Sequence, residues 1–155
     1  VYMVPALTGL GAPHWSPSAR GAIFGLTRNT GPAHFVRAAL ESVAFQTYDL
    51  IQAMRADGIE PTGLRVDGGM VDNNFLMQFL SDILQVKIER PANQESTAIG
   101  AAYLAGIYAG IYKDVADVEK LWKTDQIFEP KISIDQAEQF YDGWKKTIER
   151  LISNG

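Results

Sequence analysis

The sequence contains no cysteine. Disulfide bonds, thiolate metal sites and a cysteine nucleophile are therefore excluded within this chain, and the absence fits a reducing compartment. No apolar run approaches the roughly 18 residues of a membrane-spanning helix, and no signal-peptide pattern opens the chain. The net charge is −4 and no block of basic residues occurs. Neither nucleic acid nor an anionic membrane surface is therefore indicated as a partner.

Side chains suited to acid–base or metal chemistry are also scarce. The two histidines, His14 and His34, lie far apart, one in a proline-rich loop and one in the first turn of a predicted helix. This placement favours hydrogen-bonded or solvated histidines over a catalytic or metal-binding pair. No zinc-protease, nucleophile-elbow or Walker-type phosphate-loop motif is present. The residues alone assign no catalytic and no metal-binding side chain.

Length and composition indicate one globular domain. The chain has 155 residues, of which 46% are hydrophobic and 21% are charged, as is usual for soluble proteins. It contains no internal repeat or low-complexity linker, so we expect a single domain over residues 1–155. The chain begins at Val1, directly in a strand-like segment and without an initiator methionine. We therefore expect it to be a piece of a longer protein.

Strand-like and helical segments alternate along the chain. Short apolar or alternating runs predict strands at residues 1–7, 63–67 and 86–90, and residues 22–26 form a further short apolar segment. The last strand alternates apolar and charged residues, which predicts a position near a sheet edge or one exposed face. Strands that alternate with helices predict an α/β layer in which helices pack against a sheet.

The helices are predicted from apolar periodicity and from capping residues. A long helix runs from Pro32, in the first turn, to about Asp57, and Gly58 is its predicted stop. Ser96 is the predicted N-cap of a small-residue helix, which can approach another backbone closely. A capping box formed by Asp135 and Glu138 predicts the start of the last helix.

The most informative segment is Leu64–Phe75. A short apolar run ends in Gly68 and Gly69, a polar turn follows, and Asn73 opens an amphipathic helix. Glycines let a ligand approach the main chain, and a helix start offers unpaired N–H groups at a positive dipole end. The arrangement suits a nucleotide, but an ordinary strand-to-helix turn has the same pattern. Asp67 is likewise placed either for a ligand-side role or for hydrogen bonds to the turn amides.

A longer pattern resembles the FGGY carbohydrate kinases. Gly21–Leu26, seven further residues and then His34–Glu41 match the second signature of that family in spacing and residue types. The match is closest to the members that phosphorylate glycerol, through residues 4–13, 15, 19–28, 65–69, 73–79, 81–84, 89–91 and 100–106. Other members usually carry a Gly-Glu-Arg-x-Pro loop where this chain has Gly9–Pro13. The resemblance covers almost the whole chain and weakens after about Gly110.

The resemblance implies an actin-like (ribonuclease H-like) ATPase domain. The chain would be a partial C-terminal domain with a mixed sheet flanked by helices. In the full-length protein, ATP with Mg²⁺ would phosphorylate the terminal 3-hydroxyl of glycerol. The family's Asp-Gly-Gly turn carries over to Gly69 and Met70 beside the nucleotide, with Asn73 as a polar contact and Gly68 as the turn itself. Asp67 has less support as a nucleotide contact.

The resemblance also implies parts that this chain does not contain. The general-base aspartate, the glycerol-binding residues and the phosphate-contacting turns of the family lie upstream of the segment that resembles Val1. Phosphoryl transfer depends on positioning and charge neutralisation, so we expect the isolated chain to lack kinase activity and to bind nucleotide weakly at best. We also expect an exposed sheet edge that pairs with another copy.

Alternatives within and outside the family stay open. The substrate could be another polyol or sugar, or the chain could be a non-catalytic nucleotide-binding module. Two positions depart from the family pattern. Met70 stands where a small residue is common, which implies a tighter pocket or a contact through the backbone alone. His14 stands where a tyrosine is usual, which is a mild change. The resemblance further implies a cytoplasmic homo-oligomeric enzyme.

Overall fold

The computed structural model describes residues 1–93 and 95–153. Its N-terminal part is an antiparallel pair of strands, β1 (Tyr2–Val4) and β2 (Ala22–Phe24). β1 is shorter than the predicted strand at residues 1–7, because the turn-rich segment that follows leaves the sheet soon after Val4.

A second, three-stranded sheet has the strand order β3–β4–β5. It consists of β3 (Gly63–Arg65), β4 (Lys87–Pro91) and β5 (Thr124–Phe128). β3 is parallel to β4, and β4 is antiparallel to β5. The predicted α/β class with a mixed sheet is therefore confirmed. Among the described strands β3 pairs with β4 alone, so its other edge is open as expected.

Five helices flank these strands in the described part of the chain, and a 3₁₀ turn (Gly69–Asp72) precedes the second of them. The helices are α1 (Pro32–Ala56), α2 (Asn74–Leu84), α3 (Ser96–Tyr108), α4 (Val115–Glu119) and α5 (Ile134–Ser153). The predicted stop of α1 is confirmed, since Gly58 has a φ of 84° that few other residues adopt. None of the described helices is long and apolar enough to cross a membrane.

The core lies between α1, α2, α5 and the first hairpin. The ring of Phe45 from α1 is at its centre, stacked on Trp144 of α5 at 5.4 Å between ring centroids. Phe79 of α2 meets Phe45 edge-on at 5.6 Å, and Tyr2 of β1 lies at 5.8 Å. This aromatic cluster joins four elements that are distant in sequence, and it fixes the position of α2.

The strand predicted at residues 86–90 is central and not at an edge. β4 lies between β3 and β5, and the edge placement was wrong because β5 forms in a segment for which the sequence predicted no strand. The alternation reflects two different faces: Ile88 is fully buried, whereas Lys87 on the opposite face is exposed. The alternative expectation, that one face of this strand is exposed, is therefore confirmed at Lys87.

Two predicted helix caps differ from the structure. α3 begins at Ser96 itself, and its N-cap residue, Glu95, makes no side-chain capping bond. α5 begins at Ile134, and the hydroxyl oxygen of Ser133 accepts from the backbone N–H of Gln136 at 3.2 Å. Asp135 therefore lies within the first turn of α5, where its charge still favours the positive end of the helix dipole.

The small residues of α3 are mostly exposed. In this helix Gly106 is the one buried residue, and a Cβ at Gly106 would clash with the ring of Tyr112. The composition of α3 predicted a close approach to another backbone. Within the described residues of α3, such an approach occurs at Gly106, where the chain turns back after the helix and brings Tyr112 against it.

Candidate functional site

The Gly68–Gly69 turn has a conformation that requires its first glycine. Gly68 has a φ of 88° and a ψ of 168°, a region of the backbone map that is essentially restricted to glycine. The carbonyl oxygen of Gly68 accepts from the N–H of Val71 at 3.1 Å. The carbonyl oxygen of Met70 accepts from the N–H of Asn73 at 3.2 Å. Gly68 thus forms the turn that leads from β3 to α2, as the sequence predicted.

The space in front of the two glycines is open. A Cβ built on Gly68 or on Gly69 would meet no atom within 4 Å. Gly69 is exposed, and the side chain of Met70 is half exposed at 51%. Because the turn begins at Gly69, its first amides have no acceptor within the turn itself. A ligand could approach these amides without displacing a side chain.

Asn73 is the N-cap of α2, which confirms the prediction that it opens this helix. Its Oδ1 accepts from the backbone N–H of Leu76 at 3.0 Å. Asn73 is exposed, and no acceptor among the described residues is bonded to its Nδ2 group. The side chain therefore stabilises the helix through its oxygen while its two N–H donors face the surface.

Asp67 lies on the exposed surface just before the glycines. Across the described residues no turn amide donates to its carboxylate, so the structure gives no hydrogen bond for the structural interpretation of Asp67. Its carboxylate would be unfavourable beside an anionic phosphate unless a cation lay between them.

Sequence reasoning missed Arg90. Its Nη1 donates to the carbonyl oxygen of Val71 at 3.1 Å and to Oδ1 of Asn74 at 2.8 Å, which connects β4 to the turn and to the start of α2. One signal could have identified it. Arg90 and Ile88 are two residues apart in a strand and so share a face, and a guanidinium on a buried face requires partners.

A second group of charges lies at the same strands, on the opposite face. The Arg65 guanidinium stacks 4.7 Å over the Trp122 ring and lies 3.5 Å from the Glu89 carboxylate. The Lys87 ammonium is 2.6 Å from Glu89. The hydrogen bond from Lys87, followed by its charge and by Arg65, lowers the pKa of Glu89 below its usual range. Glu89 therefore stays ionised between two cations.

Both histidines are hydrogen-bonded, as expected. His34 Nδ1 accepts from the backbone N–H of Gly31 at 3.1 Å, at the start of α1. His14 Nε2 lies 3.0 Å from Oδ2 of the buried Asp49. The Tyr141 hydroxyl and the Trp144 indole also donate to this carboxylate, at 2.6 and 2.9 Å.

Burial, followed by the hydrogen bond to Asp49, raises the pKa of the Tyr141 phenol well above its ordinary value. The tyrosine therefore remains a donor to the Asp49 carboxylate over the whole neutral range. Together with the His14 and Trp144 contacts, this bond joins the first loop, α1 and α5. The cluster anchors structure, and it contains no side chain of the Gly68–Asn73 turn.

A cavity of about 340 Å³ lies beyond the carboxyl ends of β3 and β4. Its lining includes Pro91, Ile99, Tyr103 and Trp122, with Arg65 and Asn93 as polar groups. Ligands of open α/β sheets commonly bind outside these strand ends. In the described part of the chain no group of three or more histidine or acidic side chains could hold a metal ion.

The chain is similar in sequence to known proteins over all or most of its length. Residues 1–109 match the sequence profile described as the FGGY family of carbohydrate kinases, C-terminal domain. A glycerol kinase of Ectopseudomonas mendocina is 55% identical over 100% of this chain, which covers 32% of that protein.

Solved structures share the fold. The glycerol kinase of Plasmodium falciparum, determined with ADP, is 40% identical with a TM-score of 0.87 over 97% of this chain and 30% of the other. A gluconate kinase of Lactobacillus acidophilus is 25% identical with a TM-score of 0.78 over 97% of this chain and 31% of the other. The chain thus spans about a third of the length of the relatives it matches.

Proposed function

The chain belongs to the FGGY family of carbohydrate kinases, and we propose that it forms the nucleotide-binding part of an ATP-dependent glycerol kinase. In the full-length protein the enzyme would transfer the terminal phosphoryl group of ATP to the terminal 3-hydroxyl of glycerol. The isolated chain would be inactive, because it carries no assigned catalytic base. The protein would act in the cytoplasm as a homo-oligomer.

The Gly68–Asn73 turn is the observation that carries the proposal. Gly68 adopts a backbone conformation that few other residues allow, and open space lies in front of both glycines. Gly69 and Met70 would face the nucleotide through their backbone, and Asn73 would contact it through its side-chain amide. The half-exposed Met70 side chain would form part of the pocket wall, which makes the pocket tighter than one with a small residue.

Glycerol is the proposed substrate because relatives 52–55% identical to this chain are named glycerol kinases. A second candidate is a sugar or sugar acid. The gluconate kinase of Lactobacillus acidophilus shares the fold at 25% identity, so the nucleotide-side architecture serves more than one acceptor class. The third candidate, a non-catalytic nucleotide-binding module, would keep the Gly68–Asn73 turn but would have no kinase activity.

Mg²⁺ would accompany ATP in the full-length enzyme. The described residues offer no cluster of carboxylates that fits a protein-bound metal. Mg²⁺ commonly binds through substrate phosphates with only one or two carboxylates. We therefore assign no residue of this chain to the metal, and its contribution would be to neutralise charge on the transferred phosphoryl group.

The first experiment measures ATP consumption by the full-length protein with glycerol, xylulose, ribulose and gluconate. Selective turnover of glycerol is the expected result. Preference for a sugar would keep the family and the nucleotide site but contradict the substrate. A folded protein that binds ADP and turns over none of the four would favour the non-catalytic module.

Two substitutions of Asn73 separate its helix-capping role from nucleotide contact. Asn73→Asp keeps an oxygen that caps α2 and so should keep the melting temperature, but it brings a negative charge beside the phosphates. We expect the KM for ATP to rise by about tenfold or more, since like charges cost at least about 1.4 kcal/mol in a partly shielded site. Asn73→Ala should in addition lower the free energy of unfolding by about 1 kcal/mol, because it removes the cap of α2.

The acidic variant is the decisive one for Asn73. A KM for ATP in Asn73→Asp that equals the wild-type value would remove this residue from the proposed site. Because Asp also caps the helix, a raised KM for ATP with an unchanged melting temperature could not be attributed to a loss of folding.

A further inference from the structure

Arg90 reaches from β4 to the backbone segment that carries the proposed nucleotide contacts. Its Nη1 donates to the Val71 carbonyl oxygen at 3.1 Å and to Asn74 Oδ1 at 2.8 Å. Val71 lies inside the 3₁₀ turn, and Asn74 is the first residue of α2. These two bonds therefore hold the Gly69–Asn73 segment at its middle, through Val71, and immediately after its end, through Asn74.

The rest of the guanidinium is held by β5. Arg90 Nε donates to Asp125 Oδ2 at 2.8 Å, and Nη2 donates to Gln126 Oε1 at 2.9 Å. The guanidinium carbon also lies 5.5 Å from the centre of the Phe128 ring. The side chain is 11% exposed. A planar guanidinium has donors in fixed directions, so contacts on both sides leave it a single position.

The turn has little side-chain packing of its own. Gly68 and Gly69 have no side chains to pack, and the 3₁₀ turn has a single buried residue, Val71. Glycine-rich backbone has many conformations available unless neighbouring groups fix it. The bonds from Arg90 are the side-chain contacts that the described structure provides to the Val71 carbonyl and to the Asn74 amide oxygen.

We propose that Arg90 is a positioning residue for nucleotide binding, which holds the Gly69–Asn73 backbone at the place where ATP meets it. This inference rests on the proposed function. Arg90 acts through Val71 and Asn74 and needs no contact with the nucleotide. Binding groups must be held within a fraction of an ångström, and a displacement of about 1 Å can cost about a hundredfold in rate.

The test compares turn-side and sheet-side substitutions in the full-length protein. Arg90→Lys keeps the charge, but one ammonium cannot bond to both the turn and β5 in the same directions. Asn74→Ala removes one turn-side bond. Asp125→Ala, the matched control, removes the acidic partner on β5 but leaves both turn-side bonds and the bond from Nη2 to Gln126, which still orients the guanidinium. For each variant the KM for ATP, the KM for glycerol, kcat, the Kd for ADP and the melting temperature are measured.

We expect Arg90→Lys to raise the KM for ATP and the Kd for ADP about tenfold, which corresponds to about 1.4 kcal/mol. The KM for glycerol should change by less than about twofold, because that substrate lies elsewhere in the proposed enzyme. Asn74→Ala should raise the KM for ATP in the same direction. Asp125→Ala should lower the melting temperature and leave the KM for ATP nearly unchanged.

Two outcomes would overturn the proposal. One is an unchanged KM for ATP and Kd for ADP in Arg90→Lys. The other is an increase in Asp125→Ala as large as that in Arg90→Lys, which would show a general loss of stability. If Arg90→Lys does not fold, Asn74→Ala decides in the same way. A wild-type protein that binds no ADP would instead contradict the proposed function, so the two failures are distinguishable.

Discussion

The Asp49 carboxylate offers a quantitative test of how the core is held together. Asp49 is 3% exposed, and its two carboxylate oxygens accept from three donors. Oδ1 accepts from the Tyr141 hydroxyl at 2.6 Å, and Oδ2 accepts from the Trp144 indole at 2.9 Å and lies 3.0 Å from His14 Nε2. We predict that Asp49→Ala strongly destabilises the chain, because it removes the one acceptor that these donors share.

The magnitude follows from the burial of each donor. Trp144 is 1% exposed, so its orphaned N–H would cost about 1–3 kcal/mol. Tyr141 and His14 are partly exposed and can turn to water, so each adds less. The Trp144 N–H supplies most of the loss and the other two donors add to it, so we expect about 2–4 kcal/mol for Asp49→Ala.

Asp49→Asn tests the same reasoning more finely. An asparagine can place its carbonyl oxygen where Oδ2 now accepts, while its NH₂ group faces the Tyr141 hydroxyl, which can also act as an acceptor. The hydrogen bonds would then lose mainly their charge assistance. We expect a destabilisation of about 1–2 kcal/mol, below that of Asp49→Ala.

Urea unfolding followed by tryptophan fluorescence gives the free energy of unfolding. Asp142→Ala, on the exposed side of α5, is the matched control and should lie within about 0.5 kcal/mol of wild type. A double-mutant cycle of Asp49→Ala with Tyr141→Phe should show positive coupling. The reasoning is refuted if Asp49→Ala is as stable as the Asp142→Ala control.

Two further predictions concern residues of α3 and α5. Gly143→Ala should destabilise by about 1–3 kcal/mol, since its Cβ would overlap the ring of Tyr2, whose hydroxyl donates to the Phe140 carbonyl at 3.1 Å. Gly100→Ala in α3, with no atom within 4 Å, should instead stabilise the chain, and calorimetry of both variants checks the contrast. The raised pKa of Tyr141 stabilises the fold below the ordinary tyrosine pKa of about 10, and this stabilisation is lost as pH rises through the higher folded pKa. The free energy of unfolding should therefore fall above about pH 10 in wild type, and less steeply in Tyr141→Phe; equal slopes in the two proteins would contradict the assignment.

Local signals predicted much of the helical structure and the turn. The apolar spacing and Pro32 gave the start of α1, and Gly58 gave its end, because capping and backbone freedom act within a few residues. Asn73 was identified as the start of α2 for the same reason. The candidate contacts Gly68, Gly69, Met70 and Asn73 came from one continuous segment, and their role in binding stays a prediction.

Contacts between distant segments were not predicted. β5 occupies a segment without a clear alternating pattern, and its pairing with β4 joins residues on either side of α3 and α4. The central position of β4 depended on that pairing, so the edge placement was wrong. The caps expected at Ser96 and Asp135 also differed. α3 begins at Ser96 itself, after Glu95, which makes no side-chain capping bond, whereas the Ser133 hydroxyl caps α5 in place of Asp135.

The sequence by itself determined the family, the alternation of strands and helices, and the glycine turn before α2, since each is encoded in neighbouring residues. The tertiary structure alone decided which side chains hold that turn and that core. Arg90 reaches the turn because β4 is central, and the buried Asp49 meets Tyr141 and Trp144 because α1 packs against α5. These hydrogen bonds join residues that are 19 and 95 positions apart, so no local sequence pattern predicts them. A polar group needs such a partner only once the fold has buried it.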